Sequence, residues 1–141
     1  MSNRTFTIIK PYAVSIGNTG KIIDRILMAK FKIIAMKMIR MTRNQAEQFY
    51  SIHADKSFFN ELIDFMTSGP CIVAILEKEH AVSELRILVG NTDPLLAAPG
   101  TIRHDFAKSK TANSIHASDC DENAQVEWNY FFTEDEIFSN T

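Results

Sequence analysis

A chain of 141 residues that is 45% hydrophobic and 23% charged can bury one self-sufficient core, so residues 1–141 are expected to form a single domain. Its net charge of −2 excludes the broad basic footprint of a nonspecific nucleic-acid binder, so nucleic acid is not an expected partner and any anion site must be local. Two cysteines, Cys71 in an apolar run and Cys120 beside acids, offer no disulfide framework and point to a reducing, cytoplasmic setting. Met1-Ser2-Asn3-Arg4 contains no apolar leader, and no run approaches the ~20 residues of a membrane helix, so no membrane partner is expected.

Residues 5–10 are β-rich and stop at Pro11, and residues 21–29 place Ile22, Ile23, Ile26 and Leu27 on one helical stripe. The Ile- and Met-rich run 31–41 follows a helix break near Lys30 and reads as a second strand. Thr42 and Gln45 form a capping box, with Met41 and Ala46 as its hydrophobic staple, so a helix starts at about Arg43. Phe59, Leu62, Ile63 and Met66 mark another short helix, closed by Gly69-Pro70. Residues 71–76 form an apolar third strand, and Val82, Leu85 and Val89 give a helix with Gly90 as its C-cap. Residues 91–112 carry Pro94, Pro99 and Gly100 with little periodicity and read as a long functional loop. A fourth strand at 115–118 and a helix from about Asp121, capped by Ser118 or Asp119, complete the chain. This order is the α+β, ferredoxin-like split βαβ plan (βαββαβ). It has a four-stranded antiparallel sheet with helices packed on it and a helical pair inserted between strands two and three.

One histidine stands in a chemically suggestive setting. His116 follows a loop carrying Arg103, His104, Lys108 and Lys110, and a nucleophile beside cations suits a phosphorylated substrate. Glu127 falls between Ala124 and Phe131 on the inward stripe of the last helix, where a buried carboxylate needs a partner. It could hold one ring nitrogen of His116 and leave the other free, or sit half-exposed at the stripe's margin. Alone, His116 would more often be an ordinary hydrogen-bonded histidine. Arg103 suits a phosphate clamp, Arg86 could equally serve a helix dipole, and Thr92 could donate to phosphate or shape a turn. Lys10 ends the first strand, where functional side chains often emerge, although a solvated lysine fits there too. Tyr50 and Phe58 belong to apolar stripes, yet one of Phe58 and Phe59 must point outward, and an exposed ring can stack on a base. Gly17-Asn18-Thr19-Gly20-Lys21 is too short for a P-loop, Asp119, Asp121 and Glu122 lack calcium-loop spacing, and the remaining histidines show no metal pattern with the cysteines.

Taken together, Arg4-Thr5-Phe6-Thr7-Ile8-Ile9-Lys10-Pro11, Phe58-Phe59, Met66-Thr67-Ser68-Gly69-Pro70, Gly90-Asn91-Thr92-Asp93-Pro94, Gly100-Thr101-Ile102-Arg103 and Asn113-Ser114-Ile115-His116-Ala117-Ser118-Asp119 resemble, in order and spacing, the nucleoside diphosphate kinase family. The resemblance runs from Arg4 to about Phe132. It implies a ping-pong transfer of the γ-phosphoryl group from a nucleoside triphosphate to a nucleoside diphosphate through a phosphohistidine on His116. By the same resemblance Glu127 and Ser118 orient the imidazole. Arg86, Thr92, Arg103 and Tyr50 meet phosphates or the transferring group, and Lys10 and Asn113 bind the sugar hydroxyls and the phosphate end. Phe58 stacks on the base with Leu62 behind it, and Lys110 lines the base with its alkyl stem. Mg2+ would come with the nucleotide, and a homo-oligomer, tetramer or hexamer, is implied. Tyr12, His104, Lys110 and Ala117 depart from the family's usual residues.

Overall fold

The computed structural model describes residues 3–107 and 113–139. Strands β1 (Arg4–Ile9), β2 (Lys32–Ile39), β3 (Cys71–Glu77) and β4 (Ile115–Ala117) form one antiparallel sheet in the order β2-β3-β1-β4. The ferredoxin-like plan read from the sequence is the one observed. β1 and β3 lie centrally and are covered on both sides, which is why β3 is an almost unbroken apolar run and why β1 buries even Thr5 and Thr7.

Among the described residues are seven α-helices: α1 (Pro11–Ser15), α2 (Thr19–Met28), α3 (Arg43–Phe49), α4 (Phe59–Met66), α5 (Ala81–Val89), α6 (Ile102–Phe106) and α7 (Asp121–Asn129). Successive residues of β1 feed two cores. Phe6 and Ile8 pack with Ala46, Ile63, Met66, Ala124 and Trp128 from α3, α4 and α7. Ile9 packs with Ile22, Ile26, Leu85 and Val89 from α2 and α5. The inserted pair α3 and α4 therefore belongs to the same face as α7.

Local signals explain several boundaries. Gln45 N–H donates to Thr42 Oγ1 at 3.1 Å and Thr42 N–H donates to Gln45 Oε1 at 2.9 Å, completing the capping box. Lys30 breaks the α2 path in the left-handed region, with φ of 72°. Gly90 closes α5 with φ of 90°, and a Cβ there would lie 2.6 Å from Thr101 Oγ1, so the position admits only glycine.

Three details differ from the sequence reading. Pro11 opens helix α1 instead of merely ending a strand, because its fixed φ and missing N–H suit a first helical turn. The long loop contains α6, capped by Thr101, whose hydroxyl accepts from His104 N–H at 3.3 Å. The N-cap of α7 is Cys120, without a side-chain cap bond, and not Ser118 or Asp119. Ser118 spends its hydroxyl on Glu127 Oε1 at 2.6 Å, and Asp119 accepts from Asn123 Nδ2 at 2.7 Å.

Candidate active site

β4 is three residues long and pairs only with β1, placing Ile8 opposite His116. Lys10 N–H donates to Ser114 O at 2.8 Å, and Ser118 N–H to Phe6 O at 3.4 Å. By the alternation of an antiparallel ladder, the carbonyl of His116 also faces β1, while those of Ile115 and Ala117 face the open edge. Such edge carbonyls need donors. Arg103 Nη2 donates to Ile115 O at 2.9 Å, and Arg86 Nη1 reaches Ala117 O at 3.5 Å. The edge of the shortest strand thereby draws two guanidinium groups beside the histidine. Just before it, Ser114 is fully buried with φ of 75°, and Ile115 N–H donates to Asn113 O at 2.9 Å, a positive-φ γ-turn. Ser114 Oγ donates to Phe106 O at 2.8 Å and ties this turn to α6.

On the other flank, α7 presents Glu127 inward, as its spacing predicts. His116 Nε2 lies 2.8 Å from Glu127 Oε1, and Ser118 Oγ donates to the same oxygen. Both side chains of the pair are 18% exposed. An ionised carboxylate only accepts, so Nε2 carries the proton and the lone pair remains on Nδ1. Phe49 meets the imidazole edge-on with ring centroids 5.3 Å apart, and Phe6 flanks it at 6.0 Å. The ring is thus fixed by one hydrogen bond and two aromatic walls.

The surrounding charges are positive. Lys10 is only 5% exposed, and burial, reinforced by nearby Arg103, pushes its ammonium down to about 7. Arg103 is buried as well, and burial with the neighbouring Arg86 lowers it to about 10, so it remains cationic at neutral pH. Its second arm donates to Gly90 O at 3.0 Å, linking the end of α5 to β4. Burial raises the Tyr50 phenol, with Cys71 and Glu127 adding to the effect, which keeps it a protonated donor. Tyr50 Oη, Arg103 Nε and Asn113 Oδ1 are buried without a hydrogen-bond partner among the described residues. Unmet buried groups of this kind are costly unless a ligand completes them.

His116, Glu127, Ser118, Tyr50, Lys10, Arg86 and Arg103 are therefore linked by contact or by charge. Asn113 opens the turn that leads into β4. Thr92 is exposed on the loop after Gly90, and no hydrogen bond ties it to that group among the described residues. Phe58 is 43% exposed, while Leu62 is buried one helical turn further on. Lys110 lies outside the described residues. The sequence reading did not single out Phe6, Phe49 or Thr7, whose Oγ1 donates to His116 O at 2.6 Å. Thr7's only signal was a hydroxyl in a central strand, and Thr5 offers the same signal two residues earlier.

A carboxylate-oriented imidazole beside convergent lysine and arginine side chains, carried by a split βαβ sheet, defines the class: an α+β protein equipped for nucleophilic chemistry on an anion. The nucleoside diphosphate kinase family model matches residues 3–137. The chain is 50% identical to the nucleoside diphosphate kinase of Salinibacter ruber over 140 residues, 99% of each chain. It is 54% identical to that of Campylobacter hominis over 134 residues, 95% of this chain and 98% of the relative. Among solved structures, nucleoside diphosphate kinase from Aquifex aeolicus has a TM-score of 0.93 at 44% identity, covering 96% of this chain and 98% of that one. The Halobacterium salinarum enzyme in complex with CDP has a TM-score of 0.95 at 36% identity, covering 100% and 94%. The chain belongs to the nucleoside diphosphate kinase family and is a phosphotransferase acting on nucleotides. No helix among the described residues is long and apolar enough to cross a membrane.

Proposed function

We propose that the chain moves the γ-phosphoryl group of a nucleoside triphosphate to a nucleoside diphosphate in two steps through His116. The Nδ1 lone pair attacks the γ-phosphorus, the bond to the β–γ bridging oxygen breaks, and the diphosphate leaves with that electron pair. An acceptor diphosphate then attacks the phosphohistidine through its terminal oxygen, restoring the imidazole. The observation that carries this reading is the 2.8 Å contact between His116 Nε2 and Glu127 Oε1, which leaves Nδ1 as the nucleophilic nitrogen. Glu127 offsets the charge that the ring gains on phosphorylation, and Ser118 keeps the carboxylate in line.

Lys10, Arg86 and Arg103 supply the positive field that such a loose, anionic transition state requires. Tyr50, with its unmet hydroxyl, donates to the transferring group, and Thr92 donates to a phosphate from the loop. Lys10 and Asn113 take the sugar hydroxyls and the phosphate end. The exposed ring of Phe58 stacks on the base, backed by Leu62. Lys110 completes the base-lining set by resemblance alone. The cations of this site suit phosphates more than a metal cage, and no cluster of three His, Cys, Asp or Glu ligands occurs among the described residues. Mg2+ would come as the companion of the nucleotide, whose phosphate oxygens would hold it and which it would polarise, while Lys10, Arg86 and Arg103 meet the remaining phosphate charge. We further propose one domain over residues 1–141, a cytoplasmic location and a homo-oligomer, tetramer or hexamer.

Incubation with γ-labelled ATP and magnesium tests the reading. The wild type is expected to take an acid-labile, alkali-stable label that nucleoside diphosphate removes, and His116→Ala none. An unlabelled wild type would leave a nucleotide-binding module without this chemistry.

A further inference from the structure

The residues that hold β4 differ in what they can do once a nucleotide arrives. All three carbonyls of the strand accept a side-chain donor: Ile115 from Arg103, His116 from Thr7 and Ala117 from Arg86. The two arginines hold the outer edge, yet they are also the groups assigned to phosphate, so their donors are shared when phosphate binds. Thr7 is on the inner side. It pairs with Ala117 in the β1–β4 register, is 1% exposed, and projects towards the core opposite to the His116 ring. Its buried hydroxyl is turned away from solvent, so its 2.6 Å bond, unlike those of the arginines, is not one that a phosphate would have to share.

Burial alone does not account for that bond. Thr5 lies two residues earlier on the same face of β1 and is fully buried, and its hydroxyl has no partner among the described residues. The same residue type in the same strand thus leaves one hydroxyl unmet and directs the other to the backbone of the histidine. β4 is a short element, three residues long and paired with β1 alone, bracketed by the Lys10–Ser114 and Ser118–Phe6 backbone bonds and preceded by a positive-φ γ-turn at Ser114, so a further bond at its central residue bears directly on where the imidazole sits.

We propose that Thr7 is a positioning residue for phosphoryl transfer: its hydroxyl holds the His116 carbonyl, and through it the imidazole, while Arg86 and Arg103 engage phosphate. This rests on His116 being the nucleophile. A displacement of well under an ångström at a nucleophile lowers the rate without altering nucleotide binding.

The test compares Thr7→Val with Thr7→Ser, using Thr5→Val as the matched control. Single-turnover labelling of His116 by γ-labelled ATP is expected to slow about five- to tenfold in Thr7→Val, the scale of one lost hydrogen bond. The ADP dissociation constant should stay within about twofold, Thr7→Ser should recover most of the rate, and Thr5→Val should label like the wild type. Wild-type labelling by Thr7→Val, no recovery in Thr7→Ser, or a loss of ADP binding that matches the loss of rate would overturn the inference. Should Thr7→Val fail to fold, Thr7→Ala against Thr7→Ser isolates the same hydroxyl, and equal rates would overturn it. A wild type that takes no label at His116 sinks the nucleophile assignment and Thr7's role with it. A labelled wild type with an unaffected valine variant sinks Thr7's role alone.

Discussion

The two outer strands of the sheet solve one problem in opposite ways. β2 is eight residues long, and its free side is partly closed by the chain itself, with Phe138 N–H donating to Ile34 O at 2.7 Å. Met36 and Met38 remain about half exposed there. β4 is three residues long, and its outward carbonyls are met by guanidinium groups from α5 and α6. Backbone closing backbone leaves an inert margin. Side chains closing backbone import charge, and here they gather cations around His116.

Breaking the β4 edge should have the largest effect. Arg103→Met removes a buried cation together with its bonds to Gly90 O and Ile115 O. Phosphoryl transfer is expected to fall by about 10²–10³-fold, the scale for losing one preorganised donor in a dry site. The two orphaned carbonyls should lower stability by roughly 1–3 kcal/mol. Steady-state kinetics and urea unfolding measure the two losses separately. A rate within tenfold of the wild type would mean that Arg103 serves the edge and not the chemistry.

Lys10 sharpens the comparison because its ammonium is buried against the same edge without an ion pair among the described residues. The unfolded chain keeps this proton up to about 10.5 and the folded chain only up to about 7. Between those values the unfolded state binds more protons, so stability rises with pH across that window and is lost as pH falls through 7. Lys10→Met should therefore be more stable than the wild type at pH 6, by about 2–4 kcal/mol, with the gap closing towards pH 10. The same substitution should slow transfer. Urea titrations at pH 6 and 9.5 check the sign, and a gap that widened with pH would refute the burial of a charged lysine as its cause.

How far these edges could be read in the sequence depends on whether the signal was local. The Thr42–Gln45 box, the break at Lys30 and the inward Glu127 were legible because each is set by residues within one or two turns. α6 was not, since a five-residue helix between Pro/Gly-rich loop and strand is too short to establish a period. Ser118 looked like a cap because its type suits one, but its N–H still bonds to Phe6 O on the β1–β4 ladder and its hydroxyl turns to Glu127 nine residues away, while α7 starts only at Asp121. The site shows the same division. Glu127 could be anticipated from helical spacing and His116 from the cations before it, with their pairing as one of two readings, whereas Thr7 could not, because its contact spans 109 positions and exists only through the β1–β4 register.

The smallest effect is expected at the opposite margin. Lys37 on β2 donates to both carboxylate oxygens of Glu136 at 3.0 and 3.1 Å and lies 4.9 Å from the centroid of the Phe132 ring. Its side chain is about one-third exposed, as is that of Glu136, so water and salt screen most of the attraction. Met at this position keeps the alkyl contact with Phe132 and loses only the charge. Lys37→Met should therefore shift the melting temperature by no more than about 2–3 °C and leave phosphoryl transfer within twofold of the wild type. Lys10 follows β1 directly, Arg86 and Arg103 lie in α5 and α6, and β3 and β1 stand between β2 and the histidine strand. A several-fold change in transfer rate would mean that strain at the β2 margin crosses the sheet, and the two edges would then have to be treated as one coupled element.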